Sequence, residues 1–137
     1  MTEQEPLRAL LVFHDMSKEE LYGAILRTKS LDYAVDVRRD LASALPLVHA
    51  PSPEYALYLV ETNLEHPKTA RIENMVTLYD AVQEHIATRR ACFLTVSSTP
   101  EARVAAEARD IYAFDPMQLT PKALIAFTEG LRHVRAQ

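Results

Sequence analysis

Hydrophobic positions along the chain form five short runs, and stretches of helical character separate each run from the next. The runs cover residues 7–13, 33–37, 55–60, 91–96 and 111–114. The first, third and fourth runs are almost continuously apolar, which is typical of central parallel strands that helices cover on both faces. The second run alternates apolar and polar residues, which is typical of an edge strand. The pattern therefore predicts five strands.

The first helix is predicted to begin at a capping box. Ser17 and Glu20 have the Ser-x-x-Glu spacing in which two residues satisfy each other's free backbone amides at a helix start. Leu21, Ile25 and Leu26 then share one helix face, and we expect all three to pack against the sheet.

The later helices carry their own start signals and apolar faces. Asp40 is a favourable cap for a second helix, which Pro46 should shorten or kink. Apolar side chains with a 3.6-residue period over residues 72–86 predict a third helix of four turns. Thr-Pro pairs at 99–100 and 120–121 predict the starts of a fourth and a fifth helix.

Strands and helices therefore alternate five times within one domain. Parallel strands joined by helices form right-handed crossovers, which place helices on both faces of the sheet. The sequence thus predicts an α/β fold with a doubly wound, five-stranded parallel sheet over residues 7–135. Residues 1–6 are predicted to form a flexible N-terminus.

Composition excludes several function classes. The net charge of −4 provides no basic patch, so we do not expect nucleic acid as a partner. The two glycines, Gly23 and Gly130, lie in helical patterns, which excludes a glycine-rich loop for nucleotide phosphates. Cys92 has no second cysteine to pair with and is predicted to be a reduced core thiol. No apolar run resembles a signal peptide or a membrane span, so we expect a cytoplasmic protein without membrane contact.

The polar residues that follow the strands are the candidates for chemistry, because ligands of open α/β sheets collect at the carboxyl ends of the strands. Glu61 is the clearest of these, since it ends the apolar third strand. The candidates, in chain order, are His14, Asp15, Glu61, Ser97, Tyr112, Asp115 and Pro116.

The order of these residues resembles the receiver domain of two-component response regulators, which has a CheY-like, flavodoxin-like fold. In that family the first strand ends in two acids that hold Mg²⁺, and the third ends in the aspartate that accepts a phosphoryl group. Here His14 replaces the first acid, Asp15 keeps the second, and Glu61 replaces the aspartate. The family also has a lysine after the fifth strand, and Asp115 stands there instead.

These departures predict that phosphotransfer is lost. Glutamate displaces the nucleophilic oxygen by about one methylene, and a misplacement of ~1 Å costs on the order of a hundredfold in rate. Asp115 would repel a phosphate dianion that lysine attracts, and His14 leaves fewer oxygen ligands for Mg²⁺. The chain is therefore identified as similar to a degenerate pseudo-receiver, a signalling or adaptor module rather than an enzyme, without a cofactor.

The resemblance also implies roles for the remaining residues. Ser97 fits the hydroxyl that contacts phosphoryl oxygens, with Ser98 or Thr95 as alternatives if the register slips. Tyr112 fits the aromatic switch residue, and Asp115–Pro116 is a candidate cis peptide bond. The fourth helix, fifth strand and fifth helix would form the face for protein partners or a homodimer, with Glu61 as a fixed charge in place of phosphoryl.

Other interpretations of the same residues remain open. Asp15 can cap the first helix instead of binding a metal. His14, Asp15 and Glu61, with Asp115, can form a transition-metal site or a proton-sensitive cluster. A regulator that still responds to metal or phosphate through Asp15 and Glu61 is a further alternative. The last alternative is a flavodoxin-like domain that senses a small organic ligand.

Overall fold

A computed structural model of the chain describes residues 7–28, 31–50, 54–66, 68–88 and 91–136, with the backbone alone from residue 129 onwards. The strands are β1 (Arg8–Val12), β2 (Ala34–Arg38), β3 (Leu57–Glu61), β4 (Cys92–Val96) and β5 (Ala113–Phe114). The helices are α1 (Met16–Leu26), α2 (Leu41–His49), α3 (Glu73–Ala81), α4 (Gln83–Ala87), α5 (Pro100–Glu107) and α6 (Pro121–Ala136). The predicted N-terminus of residues 1–6 lies outside the described residues.

The five strands form one parallel sheet in the order β2-β1-β3-β4-β5. This arrangement confirms the doubly wound α/β fold, with β2 at one edge as predicted. Every residue of β3 is buried, and so is β1 from its second residue onwards. Because these central strands are covered on both faces, their sequences are apolar without alternation.

Alternate residues of the central strands pack into two separate hydrophobic cores, one on each face of the sheet. Leu10 and Val12 point to the face covered by α2, α3 and α5. Leu11 and Phe13 point to the opposite face, which α1 and α6 cover. The two cores hold the strands in register and bring their carboxyl ends to one edge. No described helix is long and apolar enough to cross a membrane.

The predicted capping box at Ser17 is wrong. Helix α1 begins at Met16, and the side chain of Asp15 caps it by accepting from the Ser17 backbone N–H. The helix thus starts before Ser17, and Leu21 is 50% exposed instead of facing the sheet. The buried positions of α1 are Tyr22, Gly23, Ile25 and Leu26.

The predicted third helix of four turns is also wrong, because it divides into α3 and α4. The break lies at Val82, whose backbone has φ −111° and ψ 10° while its side chain is buried. Asp40 caps α2 as predicted, through the Ser43 backbone N–H, and Pro46 lies inside that nine-residue helix. The predicted fourth and fifth helices are therefore α5 and α6.

Candidate functional site

Polar side chains surround a cavity of about 220 Å³ at the carboxyl ends of β1, β3 and β4. The cavity is lined by His14, Asp15, Lys18, Glu61, Asn63, Lys68, Ser97, Ser98 and Thr99. Four of the predicted site residues therefore meet at this edge of the sheet: His14, Asp15, Glu61 and Ser97. Asp115, Pro116 and Tyr112 are not among the described residues that line the cavity.

Glu61 is the most buried acid of the cavity. It is the last residue of β3 and is 9% exposed. One carboxylate oxygen, Oε1, accepts from the His14 backbone N–H at 3.2 Å, while Oε2 has no hydrogen bond from the described residues. Burial raises the pKa of the Glu61 carboxyl, although the His14 N–H and the positive charge of Lys18 oppose the increase.

Asp15 is committed to the start of α1. Its Oδ1 accepts from the backbone N–H of Ser17 at 2.9 Å and from the Ser17 hydroxyl at 2.7 Å. The hydrogen bond from the Ser17 side chain lowers the pKa of the Asp15 carboxyl. The interpretation of Asp15 as a helix cap is confirmed, and the carboxylate has correspondingly less freedom to bind a metal.

Ser97 belongs to a network of uncharged groups beside the cavity. Its hydroxyl donates to Oδ1 of Asn63 at 2.9 Å and accepts from the Thr99 backbone N–H at 3.0 Å. Thr95 points elsewhere, since its hydroxyl donates to the Tyr112 carbonyl at 3.0 Å. Ser98 lines the cavity but is exposed. Of the three hydroxyls considered from the sequence, Ser97 is thus the buried one at the cavity.

Asp115 turns away from the cavity, contrary to its predicted place in the pocket. Its Oδ1 accepts from the Met117 backbone N–H at 2.8 Å, and its Oδ2 lies 3.3 Å from Nη1 of Arg103. The same Nη1 donates to the Ser97 carbonyl at 2.7 Å. Arg103 therefore connects the end of β4, α5 and the turn after β5. Pro116 lies within that turn.

Two lysines border the cavity and were missed from the sequence. Lys18 lies in the first turn of α1, three residues after Asp15, so the helix period places both at the same edge. Lys68 lies in the connection between β3 and α3 with a positive φ of 62°. That backbone conformation has no sequence signal in a lysine, because a non-glycine residue adopts it only in a specific loop context. Neither lysine forms an ion pair with a described residue.

The side chains around Glu61 do not fit the Mg²⁺ site that the resemblance implies. Mg²⁺ requires several oxygen ligands in near-octahedral geometry, but Glu61 and Asp15 are the only carboxylates among the described lining residues, and Oδ1 of Asp15 accepts two hydrogen bonds from Ser17. In the described ranges, no three histidine, cysteine or acidic side chains are grouped to hold a metal ion. The alternative set of His14, Asp15 and Glu61 therefore does not form such a group.

Three aromatic rings form a row at β5, which is an edge strand of the sheet. The Tyr112 ring lies 5.3 Å from that of Phe114, which lies 5.5 Å from that of Phe127 on α6. We call Tyr112, Phe114 and Phe127 the aromatic row. Tyr112 is 73% exposed and points outward. It also borders a second cavity, of about 370 Å³, where α5 ends and β5 begins.

Solved structures of receiver domains have the same fold. A response regulator receiver protein from Pseudoalteromonas atlantica is 14% identical with a TM-score of 0.69, over 93% of this chain and 98% of that chain. The signal receiver domain of an HD domain-containing protein from Pseudomonas fluorescens Pf-5 is 19% identical with a TM-score of 0.67, over 99% and 94%. A CheY-like receiver domain protein from Methanospirillum hungatei JF-1 is 16% identical with a TM-score of 0.67, over 94% and 96%.

No family model and no curated protein sequence matches the chain. The likeness therefore lies in the fold, which is that of CheY-like receiver domains over nearly the whole chain. The resemblance inferred from the strand-end residues is confirmed at that level.

Proposed function

We propose that the chain is a pseudo-receiver, a signalling or adaptor module that acts by protein–protein interaction without phosphorylation at Glu61. The observation that carries this proposal is that each strand-end acid already has a structural partner. Asp15 caps α1, Asp115 pairs with Arg103, and Glu61 accepts from the His14 backbone N–H. Acids committed in this way favour a fixed scaffold over a reacting centre.

The chemistry of phosphoryl transfer supports the same conclusion. Such a transfer depends on an in-line nucleophile and on a metal that neutralises the phosphoryl oxygens. Glu61 carries its carboxylate one methylene further than aspartate would, and its neighbours do not supply a Mg²⁺ ligand set. Repulsion by Asp115 contributes less than its sequence position suggests, because its charge is turned away and balanced by Arg103.

The idea that Glu61 mimics a phosphoryl group has no support in the observed contacts. A phosphoryl mimic would contact the hydroxyl of Ser97, but that hydroxyl bonds to Asn63 and Thr99 instead. The outward Tyr112 ring does not fill the space behind Ser97 either. We therefore assign Glu61 to holding the loop after β1, and not to imitating an activated state.

The surface formed by α5, β5 and α6 is the best candidate for the partner contact. It carries the aromatic row and the 66%-exposed Val104. Exposed aromatic rings supply large contact area at small cost in conformational entropy, and they are enriched in protein interfaces. The partner is another signalling protein or a second copy of this chain.

Incubation with acetyl phosphate and Mg²⁺ followed by intact-mass measurement tests the proposal. We expect no added phosphoryl mass on the natural chain. The matched variant combines His14→Asp, Glu61→Asp and Asp115→Lys, which restores the residues that the receiver resemblance implies, and it should gain a phosphoryl group. A stable phosphoryl group on Glu61 or Asp15 of the natural chain would contradict the proposal in favour of the phosphate-responsive alternative.

A further inference from the structure

The cavity at the carboxyl ends of the strands combines a buried acid with two cations at its rim. Glu61 is 9% exposed, and its Oε2 has no hydrogen bond from the described residues. Lys18 is half-buried, Lys68 is exposed, and both line the same cavity. Neither ammonium group is paired with an acid in the part of the chain that the structure describes. Opposite charges thus border one small, partly open cavity without forming a direct ion pair with each other in the described residues.

Several other polar groups of the cavity already have hydrogen-bond partners. Asp15 accepts two hydrogen bonds from Ser17, and Ser97 bonds to both Asn63 and Thr99. Among the described lining residues, Oε2 of Glu61 and the ammonium groups of Lys18 and Lys68 have no hydrogen bond or ion pair, and the His14 imidazole and the Ser98 hydroxyl are also open to a ligand. Burial removes part of the hydration of the Glu61 carboxylate, so an oxygen that faces the cavity gains from a donor that reaches it.

We propose that this cavity binds a small zwitterion of the free amino acid class. The ligand's ammonium group donates to Oε2 of Glu61, and its carboxylate lies between the ammonium groups of Lys18 and Lys68. A volume of about 220 Å³ is below the usual range for drug-sized ligands, which restricts the ligand to a molecule of this kind. This binding activity goes beyond the proposed adaptor function and does not depend on it.

A ligand with charge of one sign fits the cavity less well. An oxyanion would be attracted by the lysines but would lie close to the Glu61 carboxylate, which repels it. A simple amine would pair with Glu61 and leave both lysines without an anion. A molecule that carries both charges a few bonds apart satisfies both ends of the cavity, and electrostatic complementarity favours it.

An amino acid and an oxyanion should differ in the pH dependence of their binding. The charged groups around Glu61 are Asp15 from the loop after β1, Lys18 from α1 and Lys68 from the loop after β3, with the imidazole of His14 beside them. Burial raises the pKa of Glu61, so acidification protonates this carboxyl early. Protonation removes the acceptor for an ammonium group, and the affinity for an amino acid should fall. An oxyanion should instead bind more tightly as the pH falls.

Calorimetric titration and thermal unfolding of the full chain with each standard amino acid test the proposal. We expect at least one amino acid to bind and to raise the Tm, while ethylamine, acetate and inorganic phosphate do not. Glu61→Gln should weaken that binding by about tenfold to a hundredfold, because the acceptor loses its charge. Lys68→Ala should weaken it as well, and its exposed loop position leaves the core intact.

The control variants are Glu101→Gln on α5 and Lys122→Ala on α6, which change the same charges outside the cavity and should leave the affinity unchanged. If Glu61→Gln fails to fold by circular dichroism, Lys68→Ala compared with Lys122→Ala decides the question. The proposal is overturned if no amino acid binds. Phosphate or acetate that binds as tightly as any amino acid, or more tightly as the pH falls, would overturn it too. The phosphorylation experiment is independent of each of these results.

Discussion

Asp115 stands at the position where the receiver resemblance implies a lysine, and its carboxylate pairs with Arg103 of α5. Asp115 thus brings a negative charge to the end of β5, and Arg103 of α5 balances it. Arg103 also donates to the Ser97 carbonyl, so one guanidinium holds two strand ends and a helix. These contacts tie the two strand ends to α5 in the observed arrangement.

Replacement of Arg103 should show how much this contact contributes to stability. We expect Arg103→Ala to lower the free energy of unfolding by about 1–2 kcal/mol, because the Ser97 carbonyl and the Asp115 carboxylate both lose a donor. Urea unfolding measures the change. Arg109→Ala, at an exposed position just after α5, is the control and should have almost no effect. Equal losses for both variants would remove Arg103 from this role.

A second residue cluster lies among the strands. Asp36 of β2 accepts from the Tyr55 hydroxyl at 2.6 Å and from Arg8 of β1 at 2.9 Å. Burial raises the pKa of the Asp36 carboxyl, but the hydrogen bonds from Tyr55 and Arg8 outweigh it, and the net pKa is lowered. Tyr55 itself is buried against this carboxylate, which raises the pKa of its phenol.

The lowered pKa determines the pH dependence of this cluster. A carboxyl with a lowered folded-state pKa contributes stability above its unfolded value of about 3.9, and this contribution is lost as the pH falls through the folded-state pKa. We therefore expect Tyr55→Phe to cost about 1–2 kcal/mol at pH 7 and less near pH 3. Urea unfolding at both pH values measures the difference. Tyr79→Phe, whose ring packs on Phe93, should show no such dependence.

At the scale of elements, the start of α1 shows how a cap is chosen. Ser17 has the better sequence signal because Glu20 completes a capping box, yet Asp15 is the cap. The reason is that β1 ends at Val12, so a helix starting at Met16 leaves only a short loop between the two elements. In the observed helix Leu21 is exposed to solvent and Tyr22 is buried.

Substitution at the two candidate caps separates these interpretations. Asp15→Ala should lower the free energy of unfolding by about 1 kcal/mol, since an N-cap side chain satisfies a backbone amide that is otherwise free. Asp15→Asn keeps an acceptor and should retain most of that stability. Ser17→Ala should cost less than Asp15→Ala, because it removes only a donor to Asp15 and leaves the capped N–H in place. If Ser17→Ala costs more than Asp15→Ala in thermal or urea unfolding, the capping box at Ser17 is the correct interpretation.

In the molecule as a whole, the carboxyl ends of the central strands and the β5 edge of the sheet have different chemistry. The carboxyl ends of β1, β3 and β4 hold the charged cavity, while the edge at β5 carries the aromatic row. Arg103 lies between them, since it contacts the Ser97 carbonyl beside the cavity and Asp115 after β5. A ligand in the cavity and a protein on the aromatic row would therefore act on one connected part of the fold.

Substitution within the aromatic row should affect association and leave the fold intact. Tyr112 is 73% exposed, so Tyr112→Ala changes little buried surface; Phe127 is 41% exposed, so folding of Phe127→Ala is checked by circular dichroism. We expect both to weaken self-association, measured by sedimentation equilibrium, or binding to an identified partner. Leu21→Ala is the control, because Leu21 is exposed on α1, which is not part of the surface formed by α5, β5 and α6. An equal effect of Leu21→Ala would exclude the aromatic row as the specific contact.

The sequence was sufficient to predict the order of the strands and the edge of the sheet where the polar residues meet. Continuous apolar runs locate the buried strands, and parallel strands bring their carboxyl ends to one edge regardless of the conformation of the loops. Glu61 and Ser97 follow such runs directly, so their positions at the cavity were predictable. The cap at Asp40 was predictable for a different reason, because its signal is local.

Tertiary structure decided the direction of the side chains and the partners of the charges. Arg103 and Asp115 are twelve residues apart and meet only because α5 packs beside β5. Lys68 reaches the cavity through a loop conformation that its own sequence does not specify. Asp115 follows its strand as expected but turns toward Arg103, since the rotation of a side chain beyond a strand end depends on non-local contacts. As a result, the cavity is lined by Lys18 and Lys68 beside Glu61, while Asp115 pairs with Arg103 and is not among the described residues that line it.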